Sequence, residues 1–181
     1  MTPADTPGQI VILNGTPRAG KSSIATAIQE TFDGLWMNLG VDAFKGITPE
    51  RYQPAIGLRP GGERPDLEPL IVALYAAMYE SIAAHSRLGL NAVVDVGHHD
   101  SYATPRGILA DCARRLDGLA DSAEDPVPDP VRRWQREVHI PGIYDLEVDT
   151  SQLSPAECAT TIRQYLDDGP APTAFQRLAG T

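Results

Sequence analysis

A glycine-rich segment near the start of the sequence ends in a lysine followed by a serine. Residues 15–22 match the phosphate-loop pattern GxxxxGK(S/T) at every fixed position. In such a loop, backbone N–H groups surround phosphate oxygens, the lysine reaches the β- and γ-phosphates, and the hydroxyl coordinates Mg²⁺. The pattern therefore predicts binding of ATP with Mg²⁺. The predicted nucleotide-binding residues of the loop are Gly15, Thr16, Pro17, Arg18, Ala19, Gly20, Lys21, Ser22 and Ser23.

Two aspartates follow or end predicted strands and are candidates for chemistry beside the phosphates. Leu35 to Val41 predicts a strand that ends at Asp42, and Asn91 to Val96 predicts a buried strand that contains Asp95. Carboxylates at the carboxyl ends of parallel strands face the ligand crevice. Asp42 is therefore either a reacting group or a helix or turn cap, and its position alone does not decide. For Asp95 we predict a role beside Mg²⁺, because a buried aspartate needs a partner; the alternative is a structural carboxylate tied to the phosphate loop.

Later basic and imidazole side chains are weaker candidates. Arg132 and Arg136 are four residues apart on a predicted helix, so they share a face that suits a polyphosphate clamp. A solvated basic face is the alternative for this pair. His98 and His99 are adjacent and would point in opposite directions from an extended segment, so a zinc site is not favoured over loop or substrate-pocket roles.

Hydrophobic spacing predicts the elements that position the loop. Gln9 to Leu13 is a short apolar strand, and Ile24, Ile28 and Phe32 recur on one helix face. The loop thus has the strand before it and the helix after it that its function requires. A long amphipathic helix is predicted from Leu67 to Gly89.

The remaining segments are less regular or closer to the C-terminus. Phe44 to Pro69 is rich in proline and glycine and predicts a functional loop, with Tyr52, Arg59 and Arg64 as possible substrate contacts or simply solvated residues. Tyr144 to Val148 alternates as a strand. We also predict a capping box at 154–157 that starts a helix ending at residue 166, and a frayed arm over 1–8. The tail over 167–181, which contains Pro170, Pro172 and Phe175, is expected only to dock on the surface.

The overall composition limits the class of protein. The sequence has 181 residues, the size of one domain, so we expect residues 1–181 to form a single unit. With 24 acidic and 15 basic residues the formal net charge is −9, which argues against nucleic acid as a partner. No signal-peptide pattern and no membrane-spanning stretch is present, so we expect a cytoplasmic protein with buried, reduced Cys112 and Cys158. The oligomeric state is not indicated.

Three separated segments together resemble the chloramphenicol phosphotransferase family of small P-loop kinases. They are the phosphate-loop strand and helix, the run from Leu39 to Asp42, and the block from Val138 to Cys158. The resemblance implies an α/β fold of the nucleoside-kinase type, a three-layer α/β/α arrangement with a mainly parallel sheet. It also implies phosphoryl transfer from ATP to a hydroxyl of a small molecule such as an antibiotic. Asp42 then becomes the leading candidate for general base, and Lys21 and Mg²⁺ neutralise developing charge.

The sequence departs from the family pattern at one place. Such kinases have a fourth parallel strand and an arginine-bearing lid where this sequence has only Ala120 to Pro128, so about 30 residues, one strand–helix unit, are absent. We expect a four-stranded sheet in which Tyr144 to Val148 either pairs directly with the first strand or lies across a gap. The arginines of the family's lid therefore have no matching positions in this sequence. Arg132, Arg133 and Arg136 could take over their role, but the resemblance assigns them none.

The missing unit leaves two alternatives to a small-molecule phosphotransferase. One is a metabolite or nucleotide kinase on the same scaffold, and the other is a nucleotide-binding protein with impaired catalysis. A less enclosed γ-phosphate lets water compete with the acceptor, so we expect ATP binding with poor transfer and marginal stability.

Overall fold

A parallel sheet organises the part of the chain that the computed structural model describes, residues 6–53, 65–97, 138–140 and 142–179. Its three strands are β1 (Ile10–Leu13), β2 (Trp36–Asn38) and β3 (Asn91–Asp95), in the order β1-β3-β2. Leu13 pairs with Asp95 in the ladder between β1 and β3. Asp95 therefore stands at the carboxyl edge of the sheet, at the level where β1 leads into the phosphate loop.

Helices surround this sheet within the described residues. They are α1 (Lys21–Thr31), α2 (Val41–Ile47), α3 (Glu68–Arg87), α4 (Pro155–Asp168) and α5 (Ala174–Ala179), with 3₁₀ turns at Glu50–Tyr52 and Pro65–Leu67. None of the helices described is long and apolar enough to cross a membrane.

The two faces of the sheet carry separate apolar clusters. Side chains alternate along a strand, so Val11 and Leu13 of β1 face one layer while Ile12 faces the other. The first layer is α1 and α4, which contribute Ile24, Ala25, Ile28, Cys158, Ala159 and Ile162. The second is α3 and α5, which contribute Met78, Tyr79, Ile82, Ala83, Phe175 and Leu178. A parallel sheet buried on both faces confirms the predicted three-layer α/β/α fold.

The helix after the phosphate loop is held by its buried face and by contacts at its C-terminal end. Ile24 and Ile28 are buried as the spacing predicts. At the C-terminal end, the Arg163 guanidinium of α4 lies over the Phe32 ring, 4.4 Å from its centroid, and pairs with Asp33 at 3.1 Å. Arg163 also donates to the Thr31 carbonyl. A cation at the C-terminus of a helix complements the helix dipole, so this cluster fixes the direction of α1.

The second strand is shorter than the sequence suggests. It was predicted from Leu35 to Val41, but β2 ends at Asn38, and α2 begins at Val41. Asn38 Oδ1 accepts from the Gly40 N–H at 3.0 Å, a side-chain turn that bends the chain out of the sheet. Asp42 consequently lies in the first turn of a helix rather than at a strand end, and the start of the predicted irregular loop is helical.

The predicted C-terminal strand is not formed. Tyr144–Val148 makes no ladder with β1, and the sheet of the described residues has three strands instead of the expected four. Leu146 and Val148 still pack against the α1–α4 cluster, which accounts for the alternating pattern. Asp145 accepts from the backbone N–H of Thr173 at 2.6 Å and of Ala174 at 3.0 Å. The segment therefore anchors the start of the C-terminal helix. Of the two alternatives predicted for it, direct pairing with β1 is not observed, and the expected four-stranded sheet is not formed by the residues that the structure describes.

The C-terminal tail belongs to the core. The helix that starts at the capping box ends at Asp168 rather than at residue 166, and α5 follows. Phe175 is only 1% exposed and lies in the cluster with Tyr79 and Val96, so the prediction of surface docking was wrong. The N-terminal arm also ends earlier than predicted, because Gly8 donates to Ser86 O at 2.8 Å and accepts from Ser86 Oγ at 2.7 Å.

One cysteine lies within the described residues. Cys158 is a buried free thiol, as predicted. Burial, with Glu157 and Asp149 nearby, raises the pKa of this thiol above its ordinary value. A thiol that stays protonated and inaccessible is unreactive. Cys112 lies outside the described residues.

The N-terminus of α4 carries the predicted capping box. Ser154 Oγ accepts from the Glu157 N–H at 3.3 Å, and the Ser154 N–H donates to Glu157 Oε2 at 2.8 Å. The Ser154 hydroxyl also donates to Glu157 Oε2. These bonds, first from the hydroxyl and then from the backbone, hold the pKa of the Glu157 carboxyl below its ordinary value.

Removal of this cap should destabilise the fold in a pH-dependent way. We expect Ser154→Ala to lower the free energy of unfolding by about 1 kcal/mol at neutral pH, the usual cost of losing a serine N-cap. Because the folded pKa of Glu157 is depressed, its contribution is present above the ordinary value of 4.5 and is lost as the pH falls through the folded pKa. Urea unfolding of both proteins at neutral and acidic pH should show the difference shrinking on acidification. A difference independent of pH would contradict the role of the carboxylate.

Candidate active site

The phosphate loop connects β1 to α1 through an unusual series of backbone conformations. Gly15, Arg18 and Gly20 have φ of 148°, 67° and 79°. Gly20 is the N-cap of α1, and the first turn of this helix carries no acidic residue, so the positive end of its dipole is not neutralised there. Alternation of right- and left-handed residues turns successive N–H groups toward a common point. Loop and helix start together suit an anion such as a phosphate.

Lys21 lies along the loop that precedes it. Its Nζ donates to the carbonyls of Gly15 at 2.7 Å and Thr16 at 2.8 Å. The side chain is half-buried. These contacts keep the ammonium charge beside the loop, where a bound phosphate chain would also lie.

Ser22 and Asp95 meet at the carboxyl edge of the sheet. Ser22 Oγ donates to Asp95 Oδ2 at 2.6 Å, and Asp95 is 7% exposed. Ser22 lies in the first turn of α1 and Asp95 ends β3, so the strand pairing with β1 brings residues 73 positions apart into contact. The contact agrees with both predictions for Asp95, the metal-side carboxylate and the carboxylate tied to the loop.

The Ser22–Asp95 pair fits Mg²⁺. Both atoms are hard oxygen donors of the kind that Mg²⁺ binds, and in an octahedral site at about 2.0–2.1 Å, neighbouring ligand oxygens lie about 2.9 Å apart. The observed 2.6 Å pair therefore needs to open by only about 0.3 Å. No group of three or more His, Cys, Asp or Glu side chains that would hold a metal occurs among the described residues. A site with few protein ligands is usual for Mg²⁺ bound together with phosphates.

Asp42 is exposed on the first turn of α2. The N-cap of α2 is Gly40, which makes no side-chain cap, so Asp42 does not occupy the capping position considered for it. Gly40 contacts Asp95, and two peptide links place the Asp42 Cα within about 7.6 Å of the Gly40 Cα. Asp42 and Asp95 thus lie at the same edge of the sheet, with Asp42 accessible from solvent.

Several predicted site residues lie outside the described residues. They are Arg59, Arg64, His98, His99, Arg132, Arg133 and Arg136. Tyr52 is described and is exposed on the 3₁₀ turn after α2, where the Arg51 guanidinium lies 4.7 Å from its ring centroid.

Sequence patterns did not indicate two residues that support the site. Asn14 Nδ2 donates to Val138 O at 2.9 Å and so ties the start of the phosphate loop to a segment 124 residues later. Gly40 packs directly against Asp95. The only sequence sign of Asn14 was a polar residue at the end of an apolar strand. Gly40 lies in the run from Leu39 to Asp42 that resembles the family, but nothing in that run indicates a contact with Asp95.

Solved structures with a similar chain path are kinases. The chain superposes on a shikimate kinase from Acinetobacter baumannii in complex with shikimate with a TM-score of 0.53 and 14% identity, covering 90% of this chain and 93% of that one. For a sugar kinase from a Janibacter species the TM-score is 0.54 and the identity 16%, covering 91% and 98%. At these identities the likeness shows the fold, which is that of P-loop kinases.

Sequence relatives are described as phosphotransferases. Proteins from two strains of Mycobacterium tuberculosis, each named as a proposed O-phosphotransferase, are 25% identical to this chain over 197 residues, covering 94% of this chain and 88% of the relative. The matched stretch is longer than the 181 residues of this chain, so the alignment opens gaps in it.

A family profile matches most of the chain. The profile of chloramphenicol phosphotransferase-like proteins matches residues 8–123 and 125–167. The break at residue 124 falls between Ala120 and Pro128, where the sequence predicts a missing strand–helix unit. The kinase fold, the phosphotransferase relatives and this match agree with one another. The chain is a phosphotransferase with a P-loop kinase fold, and it belongs to the chloramphenicol phosphotransferase-like family.

Proposed function

We propose that this phosphotransferase transfers the γ-phosphoryl group of ATP, bound with Mg²⁺, to a hydroxyl group of a small molecule. The contact of 2.6 Å between Ser22 Oγ and Asp95 Oδ2 carries the proposal. It joins the end of the phosphate loop to a buried carboxylate on the central strand. Such an arrangement is used in P-loop enzymes for the metal that accompanies the nucleotide.

The phosphate loop and Lys21 bind the transferred group. The N–H groups of the loop and the N-terminus of α1 stabilise phosphate charge, and the Lys21 ammonium adds a full positive charge next to Gly15 and Thr16. Ser22 and Asp95 would hold Mg²⁺, which supplies charge neutralisation at the phosphates when it is bound. With a net charge of −9, the protein needs such local donors because its overall field repels ATP.

Asp42 is the proposed general base. Its carboxylate takes the proton of the acceptor hydroxyl as the oxygen forms a bond to the γ-phosphorus, and the bond from this phosphorus to the β-phosphate bridging oxygen breaks to release ADP. The exposed position of Asp42 on α2 supports this role, because an acceptor can approach it from solvent. Its location two residues beyond Gly40 keeps it near Asp95 and therefore near the metal side of the phosphates.

The acceptor is a small alcohol. The name O-phosphotransferase given to the mycobacterial relatives supports oxygen as the receiving atom, and the family description supports hydroxyl-bearing antibiotics such as chloramphenicol as the first compounds to test. A screen of ATP consumption against antibiotics, sugars and other alcohols, with the phosphorylated product identified by mass spectrometry, tests the proposal. Product formed only from compounds without a hydroxyl group would overturn it.

A protein that binds the nucleotide without efficient transfer is the second candidate. The break of the family match at residue 124, in the position expected for a strand and lid, favours this alternative. Tight binding of ATP together with no product from any alcohol in the screen would select it.

Replacement of Asp42 tests the assigned base. We expect Asp42→Asn to lower kcat by about 10²-fold or more, because an amide cannot accept the hydroxyl proton. The KM for ATP should remain close to the wild-type value, since the proposed role of Asp42 is on the acceptor hydroxyl and not on the nucleotide. Steady-state kinetics with Asp167→Asn, an exposed aspartate in the last turn of α4, as control provides the measurement. Wild-type kcat in Asp42→Asn would remove Asp42 from the reaction.

A further inference from the structure

Gly40 leaves no room for a side chain beside the Asp95 carboxylate. A Cβ built on Gly40 would lie 2.2 Å from Asp95 Oδ1, 2.7 Å from Asp95 N and 2.9 Å from Asp95 O. Two of these three atoms belong to the backbone of β3, which is held by its ladder with β1. The clash therefore cannot be relieved by rotating the Asp95 side chain alone.

The requirement for glycine at this position is spatial. Gly40 has φ −74° and ψ 174°, an extended conformation that any residue adopts. The close approach is maintained by neighbouring hydrogen bonds, since the Leu39 N–H donates to Val93 O at 3.0 Å and the Gly40 N–H donates to Asn38 Oδ1 at 3.0 Å. These bonds hold Leu39 and Gly40, which follow β2, in close contact with Asp95 at the end of β3.

Gly40 contacts Asp95, which would hold Mg²⁺, and it immediately precedes α2, the helix that carries Asp42. On the Asp95 side, its α-carbon borders Oδ1 while Ser22 Oγ occupies Oδ2. On the other side, the Gly40 carbonyl accepts from the N–H of Ala43 at 3.1 Å and of Phe44 at 3.2 Å, which forms the first turn of α2 around Asp42. A shift of Gly40 would change both the orientation of the Asp95 carboxylate and the distance between the two carboxylates.

We propose that Gly40 is a positioning residue that fixes the Asp95 carboxylate relative to Asp42, an inference that rests on the phosphoryl transfer proposed above. The contact leaves Asp95 Oδ2 as the oxygen directed toward Ser22. It also sets how far the acceptor hydroxyl, held by Asp42, lies from the metal side of the phosphates. Gly40 acts through these two side chains and touches neither nucleotide nor acceptor.

Gly40→Ala should therefore impair turnover far more than nucleotide binding. A misplacement of about 1 Å in a reacting group costs about 10²-fold in rate, and we expect a loss of that size in kcat with the Kd for Mg²⁺-free ATP changed by no more than about threefold. Gly46→Ala is the matched control, because Gly46 lies in α2, the helix that begins after Gly40, and a Cβ there meets nothing within 4 Å. That variant should keep wild-type kcat.

Metal-dependent binding separates positioning from a general loss of structure. In calorimetric titrations, Mg²⁺ should increase the affinity of the wild type and of Gly46→Ala for ADP, and this increase should be reduced at least about fivefold in Gly40→Ala. When Asp95 is already replaced by alanine, the further change Gly40→Ala should hardly alter the effect of Mg²⁺ on ADP affinity. Gly40 is proposed to act through the Asp95 carboxylate, and that carboxylate is absent in this variant. An unchanged metal effect in folded Gly40→Ala, or equal effects in both backgrounds, would overturn the proposal.

A second variant covers the case in which Gly40→Ala does not fold. Asn38→Ala removes the acceptor of the Gly40 N–H without adding an atom near Asp95. It should reduce kcat and the metal effect in the same direction, by about tenfold or less. If Asn38→Ala folds with a wild-type metal effect and wild-type kcat, the positioning role of Gly40 is excluded.

The binding experiment also distinguishes this proposal from the proposed function. If the wild type transfers phosphate to no alcohol, the function fails, while the Mg²⁺ effect on ADP binding still tests the contact between Gly40 and Asp95. If transfer is found but Gly40→Ala retains it, only the positioning role fails.

Discussion

Replacement of Lys21 by alanine is expected to lower kcat/KM by about 10²- to 10³-fold, equivalent to about 3–4 kcal/mol of transition-state stabilisation. The Lys21 ammonium is held beside the phosphate loop by the carbonyls of Gly15 and Thr16. Negative charge develops on the oxygen between the β- and γ-phosphates as its bond to the γ-phosphorus breaks in the transition state, so the loss should exceed the loss of ground-state ATP affinity.

The fold should tolerate this replacement. Lys21 stands at the first position of α1 and is only half-buried, and alanine is the residue with the highest helix propensity. We expect a melting temperature within a few degrees of that of the wild type. Arg87→Ala is a suitable control, because Arg87 is an exposed cation at the end of α3, which leads into the amino edge of the sheet opposite the phosphate loop. Wild-type kcat/KM in Lys21→Ala would exclude a role in transfer.

The parts of the site that the sequence predicts are those with local signals. The phosphate loop joins a short apolar strand to a helix whose inward face is set by Ile24 and Ile28, and both elements form as predicted. The sequence singles out Asp95 as a candidate because a carboxylate in an apolar strand is unusual, and in the structure this carboxylate accepts a hydrogen bond from Ser22. In each case the pattern lies within a few consecutive residues.

The parts that the sequence did not predict depend on contacts between distant segments. Nothing in Leu39 to Val41 distinguishes the end of a strand from the start of a helix, and the bend is made by the Asn38 side chain and by close packing of Gly40 on Asp95. Tyr144 to Val148 has the alternation of a strand because it is packed on one side. An alternating apolar pattern indicates that one side of a segment is buried. A β-strand also needs a neighbouring strand with which its backbone can form hydrogen bonds.

The C-terminal helix α5 was also not predicted from the sequence, and its packing contributes more to stability. Phe175 lies in a six-residue helix that follows a proline-rich turn, and such a short segment gives no usable periodicity. The start of this helix is held by Asp145, whose carboxylate accepts from the N–H of Thr173, 28 residues later in the chain. The Asp145 carboxylate and the apolar side of α3, on which Phe175 packs, come together only in the folded protein.

Phe175→Ala is therefore expected to destabilise the protein by about 3–5 kcal/mol, the usual cost of truncating a fully buried phenylalanine. The ring is 1% exposed and packs in the cluster that contains Tyr79 of α3 and Val96 next to Asp95. Loss of the ring leaves a cavity between the sheet and α3 that the surrounding side chains fill only in part. The free energies of unfolding of both proteins, measured in urea, test this value.

The exposed side of the same helix provides the control for this measurement. Arg177 lies in α5 but is exposed, so Arg177→Ala should change the free energy of unfolding by no more than about 0.5 kcal/mol. At a temperature where Phe175→Ala remains folded, its kcat should be close to that of the wild type, because the ring lies in the apolar core and has no proposed part in the reaction. A destabilisation of less than about 1 kcal/mol would mean that α5 only rests on the surface. A loss of kcat in the folded variant would instead show that the packing of Phe175 on β3 helps to hold Asp95 in place.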